Sequence, residues 1–262
     1  MTITIPPPEP TIFISNPSIP PGALVLVTSV NGLIAPHVAD QLLAFGYRVR
    51  DTVQSIKRCG TYLIDLFRAQ HGPGQFELVE VPDVMAATAA WAEVVRGMVE
   101  DADAVASAEL AWQTRLLEAA TAEPTVRFVV FTSSAWAART PDAGRKVRLT
   151  GESWNEEAVA PARDRSVDRG VWEWVEKNKP GYAFNTVLPE TVLGECLNPA
   201  NQGIPSTAGM AYRVWKNTNV GVLNMIQLQW FVDCRDNARL LERLKATVEG
   251  ESVEDASKSP SH

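Results

Sequence analysis

From Val25 to Val53 the chain reads VLVTSVNGLIAPHVADQLLAFGYRVRDTV, and this stretch constrains the fold more than any other. Ala23–Val27 is an unbroken run of β-branched residues and leucine with no polar alternation. Such a run marks a central parallel strand covered on both faces. A glycine-bearing turn follows. Helical periodicity then runs from Val38 to Phe45, with Gly46 where a C-terminal cap belongs. Arg48–Val53 reads as a second strand.

The pattern continues. Phe76–Val81 reads as a third strand, and Met85–Met98 and Ala106–Ala122 show alanine-rich helical spacing. Val126–Phe131 reads as a buried strand ending in Thr132-Ser133-Ser134, and Asp168–Lys177 as an amphipathic helix stopping before Pro180. Phe184–Leu188 is a further strand, closed by Pro189. Strands alternating with helices imply an α/β protein with a Rossmann-like, doubly wound parallel sheet. At 262 residues the chain suits one large α/β domain. The expected division is an extended lead-in over 1–20, one domain over 21–245 and a disordered tail over 246–262 with almost no apolar content.

Charge narrows the partners. A net charge of −7 and a pI near 5.1 argue against nucleic acid and anionic membranes. The longest apolar runs are far too short to span a bilayer, and the N-terminal text MTITIPPPEP has no secretory pattern. Cys59, Cys196 and Cys234 are odd in number and scattered, which suits a reduced, cytoplasmic protein. His37, His71 and His262 share no short spacing with cysteines or acidic pairs, so no metal site is expected.

The loop after the first strand spells Ser29-x-x-Gly32-x-x-Ala35. In a dinucleotide turn the first glycine permits the tight bend, the second admits the pyrophosphate, and the third lets helix pack on strand. Here the second glycine is kept, a small residue holds the third place, and serine holds the first. If that place requires a positive φ, serine costs roughly 1 kcal/mol, equivalent to about tenfold in affinity. On the loop alone, a β-turn-α unit with no ligand stays open.

The wider text resembles the extended short-chain dehydrogenase/reductase superfamily, of NAD-dependent epimerase/dehydratase type. In particular it is similar to fungal ketoreductases and aldehyde reductases related to dihydroflavonol reductase. The resemblance rests on NPSIPPGALVLVTSVNGLIAPHVADQLLAFGYRVRDTV, HGPGQFELVEVPD, EPTVRFVVFTSSAWAA, ESWNEEAV, WEWVEKNKPGYAFNTVLPETVLG, NQGIPSTAG and WFVDCRDNARL, in family order from about residue 16 to 241. It implies a nicotinamide cofactor, usually NADP(H), and a small carbonyl substrate, in fungal secondary metabolism. Ser29, Asn31, Gly32, Leu33 and Ile34 match the phosphate loop. Asp83 and Val84 match the adenine-flanking pair, and Pro189 to Thr191 the segment beside the nicotinamide. Gln54 stands where the family has an arginine for the 2′-phosphate. Arg50, Lys57 and Arg58 are nearby substitutes, Arg58 preferred; a solvated basic patch is the other reading.

The family's catalytic set is a serine, a tyrosine and a lysine. Ser134 matches the serine; the polar end of a buried strand is the alternative. Counting back from Trp172 puts Ala160 and Asp164 where tyrosine and lysine belong. Alanine has no proton to give, and aspartate would raise a neighbouring phenol's pKa. A Y-x-x-x-K does occur at Tyr212 and Lys216, in the remnant substrate lobe over 190–230, where a surface helix is the alternative. The family strand between Gly97 and Ala106 is expected to be mostly lost. Trp112, Trp136, Trp154, Trp172 and Trp215 are expected in the core and pocket wall. Three accounts stay open: an NADP-dependent reductase with a replacement proton donor, a non-redox pseudoenzyme or cyclase-like catalyst using the old pocket, and a ligand-free scaffold. The oligomeric state cannot be read.

Overall fold

A computed structural model describes residues 19–59, 61–82, 102–107, 113–140, 142, 144, 146–156, 167–204, 206–218 and 230–243. The expected lead-in falls largely outside these residues, and so do the tail and the helix over 85–98.

Six parallel strands form one sheet: β1 (Leu24–Thr28), β2 (Arg48–Val53), β3 (Phe76–Glu80), β4 (Ala102–Ser107), β5 (Phe128–Thr132) and β6 (Ala183–Val187). Their order is β3-β2-β1-β4-β5-β6. The order reverses between β1 and β4, which opens a crevice at the strand C-termini where such sheets bind ligands.

The apolar run in β1 has a simple cause. Val25 and Val27 face α1 (Ala35–Ala44), meeting Val38, Ala39 and Leu42, with Leu63 and Phe67 of α3 (Thr61–His71) in the same cluster. Leu24 and Leu26 face the other way, toward Leu116 and Leu117 of α4 (Gln113–Thr121) and Val171 of α5 (Val167–Asn178). Both faces are covered, so neither could carry polar residues.

Three differences from the sequence reading stand out. The strand expected to be mostly lost near Gly97–Ala106 is present as β4, paired between β1 and β5. Its text, ADAVAS, is weak strand former by composition, and the two strong strands beside it supply the ladder. The helix expected over Ala106–Ala122 is correspondingly shorter, since Ala106 and Ser107 belong to β4. The segment 56–71, which periodicity left unassigned, forms the short α2 (Ile56–Cys59) and then α3. Phe67 anchors α3, its ring centroid 4.7 Å from that of Phe76.

A second, two-stranded parallel sheet joins β7 (Thr191–Leu193) to β8 (Phe231–Asp233). Around it lie α6 (Pro199–Gln202), α7 (Ser206–Trp215), which packs on β7, and α8 (Cys234–Arg243), which packs on α1.

Candidate functional site

β1 ends at Thr28 and the chain turns at Ser29 with φ +65°. The condition attached to Ser29 is met: this turn uses the left-handed region, at roughly 1–2 kcal/mol for an L-residue. Gly32 closes the turn, donating its N–H to the Ser29 carbonyl at 2.9 Å. A Cβ on Gly32 would lie 3.2 Å from that same oxygen, so a side chain there crowds the bend.

α1 starts directly after, with Ile34 at the N-cap place. No side chain caps it, proline stands in its first turn, and no acidic residue is there. The missing proline N–H is one a helix start leaves unpaired anyway. The end of a ten-residue helix left this way offers backbone N–H groups and the positive pole of the helix dipole. The residues present therefore fit a diphosphate.

Beneath the turn lies Asp51, which the sequence reading passed over. It is fully buried, and burial holds its carboxyl well above the usual carboxylate range. Val30 donates its N–H to Oδ1 at 3.4 Å, while Oδ2 has no partner. The signal was legible: an acid interrupting the inward set Val49, Asp51, Val53 of a β-strand.

The loop is tied to the second sheet. Leu33 is buried against Val192 and Cys234, with Ile34 packed on the same cluster; Asn31 is exposed. Gln202 Nε2 donates to the Gly32 carbonyl at 2.8 Å. Gln202 Oε1 accepts from the Asn198 N–H at 2.9 Å and from Cys196 Sγ at 3.1 Å. One turn into α1, His37 Nε2 lies 2.8 Å from the Glu195 carbonyl oxygen and 3.1 Å from Cys234 Sγ. Burial first, then the Asp233 carboxylate, pushes the Cys234 thiol up to about 11, so it stays an inert thiol.

On the other side of the crevice, Ser133 donates its N–H to the Val187 carbonyl at 2.8 Å, and Ala135 its N–H to the Pro189 carbonyl at 2.9 Å. These bonds set Ser134 beside Pro189 at the ends of β5 and β6. Ser134 is exposed and its Oγ accepts from the Trp136 N–H at 3.3 Å, capping a one-turn 3-10 helix over Ala135–Ala137. The cap uses a lone pair and leaves the O–H available to a ligand oxygen. Asn155, buried, locks that turn: Nδ2 donates to the Trp136 carbonyl and the backbone N–H to the Ala137 carbonyl, both at 2.8 Å. It was missed as a supporting residue because an asparagine in loop text signals little. Thr191 is half-buried at the start of β7, opposite Phe231.

Arg58 is exposed on α2. The N–H that opens this segment, at Ile56, is already held by Glu80 Oε2 at 2.8 Å. Asp83 and Val84 lie outside the described residues, as do Ala160 and Asp164.

Tyr212 and Lys216 come together through ring faces. Lys216 Nζ lies 4.3 Å from the Trp215 ring centroid and 5.7 Å from that of Tyr212, and the two rings are 5.8 Å apart. The ammonium is thus in a cation–π cluster on an exposed helix face. The other tyrosines of the chain are engaged elsewhere. Tyr47 donates to the Ile19 carbonyl at 3.1 Å and Tyr182 to the Leu117 carbonyl at 3.2 Å, both buried. Tyr62 packs against the main core. The tryptophan expectation needs correcting: Trp136 is 44% and Trp215 73% exposed, because each sits on a helical face that nothing among the described residues covers. Trp172 does pack inward, its ring edge-on to Phe184 at 5.0 Å. Trp112 lies outside the described residues.

Comparison with known proteins agrees with this architecture. The model of the NAD dependent epimerase/dehydratase family matches residues 25–241. Ketoreductase adrE of Penicillium rubens is 34% identical over 250 residues, covering 86% of this chain and 72% of its own length. Aldehyde reductase 2 of Sporidiobolus salmonicolor is 30% identical over 253 residues, covering 85% of this chain and 73% of its own. Vestitone reductase from alfalfa superposes with a TM-score of 0.62 at 16% identity, over 86% of this chain and 73% of that one, a likeness of fold. With its sheet order, its glycine turn and a match across most of its length, the chain belongs to the NAD-dependent epimerase/dehydratase family.

Proposed function

We propose that this protein binds NADP(H) along the crevice between β1 and β4 and acts on a small ketone or aldehyde, with hydride transfer slowed by an incomplete proton-donating set. The uncapped start of α1 behind the Ser29–Gly32 turn carries this reading. Asn31, Gly32, Leu33 and Ile34 would line the diphosphate, Pro189 and Thr191 the nicotinamide, and Arg58 the 2′-phosphate, with Asp83 and Val84 beside the adenine. When bound, the cofactor supplies a hydride.

This chain's residues do the rest. Ser134 offers its hydroxyl hydrogen to the substrate carbonyl oxygen, as it accepts from Trp136 with a lone pair. The developing alkoxide then needs a proton. Tyr47 and Tyr182 have spent theirs in the core, and Tyr212 lies in the cluster with Trp215 and Lys216. Tyr62 packs against the main core, so among the described residues water held by Ser134 is the remaining candidate donor, a weak acid beside a phenol whose pKa a lysine lowers.

That census favours one second reading, a nucleotide-binding protein that performs no net redox chemistry. Two measurements separate the readings. Fluorescence titration with NADPH reports binding, and NADPH consumption over a panel of ketones and aldehydes reports turnover. Binding with slow, Ser134-dependent consumption supports the reductase; binding with none supports the second reading. Absence of binding removes both. Arg58→Ala should weaken NADPH about tenfold and leave NADH unchanged, as loss of one charge-assisted phosphate contact requires.

A further inference from the structure

Asp51 is a buried carboxyl that the proposed reaction leaves unused. It sits in the middle of β2, opposite Val27 of β1 and Leu78 of β3, and shares the face of Val49 and Val53 toward α1. Its Oδ1 receives the Val30 N–H at 3.4 Å and its Oδ2 has no partner. Val30 directly follows Ser29, the residue with φ +65°. The carboxyl is therefore packed behind the bend that opens the candidate phosphate loop.

No described charged side chain answers it. On α1, His37 is engaged with the Glu195 carbonyl and Cys234, and Asp40 with His71 of α3. Asp65 and Arg68 of α3 pair at the surface. Arg50 pairs with Glu77 of β3, Arg48 Nε donates to the Gly22 carbonyl, and Glu80 holds the Ile56 N–H. Lys57 and Arg58 of α2 are exposed. A buried carboxyl with no counter-charge keeps its proton to higher pH than an exposed one, and burial is the largest cause of the upward shift at Asp51.

We propose that Asp51 is a positioning residue that, as a neutral acid, supports the Ser29–Val30 bend for an incoming diphosphate, so that nucleotide binding is coupled to proton uptake at this side chain. The inference rests on the nucleotide reading of the loop. An ionised Asp51 would face the diphosphate from behind the bend through a medium of low polarity, where like charges repel strongly. The coupling is reciprocal: bound nucleotide favours the protonated acid by the factor with which protonation favours the nucleotide.

The test uses the full chain with NADPH and with NADH. Calorimetric titration in two buffers of different ionisation enthalpy reads proton uptake directly, and fluorescence titration reads affinity as the pH is raised across the range in which the protein stays folded. In the wild type, protons are taken up and affinity for both nucleotides falls about tenfold or more with rising pH, a change on the order of 1.4 kcal/mol. Asp51→Asn, neutral and similar in shape, is expected to bind with a flat profile and at least as tightly at the alkaline end. Equal slopes in variant and wild type, or no proton uptake by the wild type, overturn the proposal. The two-buffer experiment needs only the wild type, so a misfolded variant does not rescue the idea. If neither nucleotide binds at any pH, the nucleotide reading falls and takes this inference with it. Binding without proton uptake removes the inference alone.

Discussion

Gln202 reaches across 170 positions of sequence to donate its side-chain amide to the carbonyl of Gly32 at 2.8 Å. Its oxygen meanwhile accepts from the Asn198 N–H and the Cys196 thiol. One side chain thus joins the segment before α7 to the floor of the glycine turn. Gln202→Leu would leave the Asn198 N–H short of its partner and the Gly32 carbonyl unclamped. The expected cost is about 1–3 kcal/mol in stability, the usual consequence of orphaning a part-buried polar group. NADPH affinity should fall with it. Urea unfolding and fluorescence titration of the same preparations check both; a variant with unchanged affinity would show that the clamp does not shape the loop.

Ser29 makes a distinct prediction because its strain is already present in the folded chain. Ser29→Gly removes roughly 1–2 kcal/mol of backbone cost and restores about 0.5–1 kcal/mol of unfolded-state freedom. The melting temperature should therefore stay level or rise by no more than about 6 °C. Ser29→Val puts a β-branched residue into the same conformation and should lower it by several degrees. Thermal melts of the pair decide the matter, and equal melting temperatures would contradict the strain.

Gly194, with φ +149°, abuts Cys234 so closely that a Cβ would collide with its Sγ and lie 3.2 Å from its backbone nitrogen. Gly194→Ala should destabilise by about 2–3 kcal/mol, as overpacking does. Adding Cys234→Ala removes the side-chain part of the clash. The double variant should lose less than the sum of the singles, a coupling that a double-mutant cycle in urea would measure.

Tyr182 gives an alkaline signature. Burial pushes its phenol up to about 12 from 10, so the folded state holds the proton more tightly than the unfolded chain. Its contribution is complete below pH 10 and is lost as pH climbs from about 10 toward 12. Tyr182→Phe should cost about 1 kcal/mol at neutral pH, from the lost bond to the Leu117 carbonyl. It should also flatten the alkaline limb of a stability-versus-pH curve measured with denaturant.

Much of the fold was legible because β1 and β5 are short apolar runs separated by helical periods. Covering both faces of a sheet leaves a pattern that composition alone records. β4 was not legible. Its six residues hold only one β-branched side chain, and they form a strand because β1 and β5 offer ladder positions on either side. The candidate site divides in the same way. Gly32 and Ser134 announced themselves by motif and by place at strand ends. Asp51, Asn155 and Gln202 did not, since each acts through a partner distant in sequence or through a loop with no periodicity.

The sequence by itself determined the layered α/β class, the position of the glycine turn and the scarcity of tyrosines able to donate a proton. These follow from local periodicity, from which residue stands at which turn, and from a census of side chains. Only the tertiary structure decided that Ser29 takes a positive φ, that a proton-hungry acid is packed behind it, and that Lys216 serves aromatic faces. Dihedral angles, burial and charge neighbourhoods are set by elements that meet in space, and no single stretch of chain contains them.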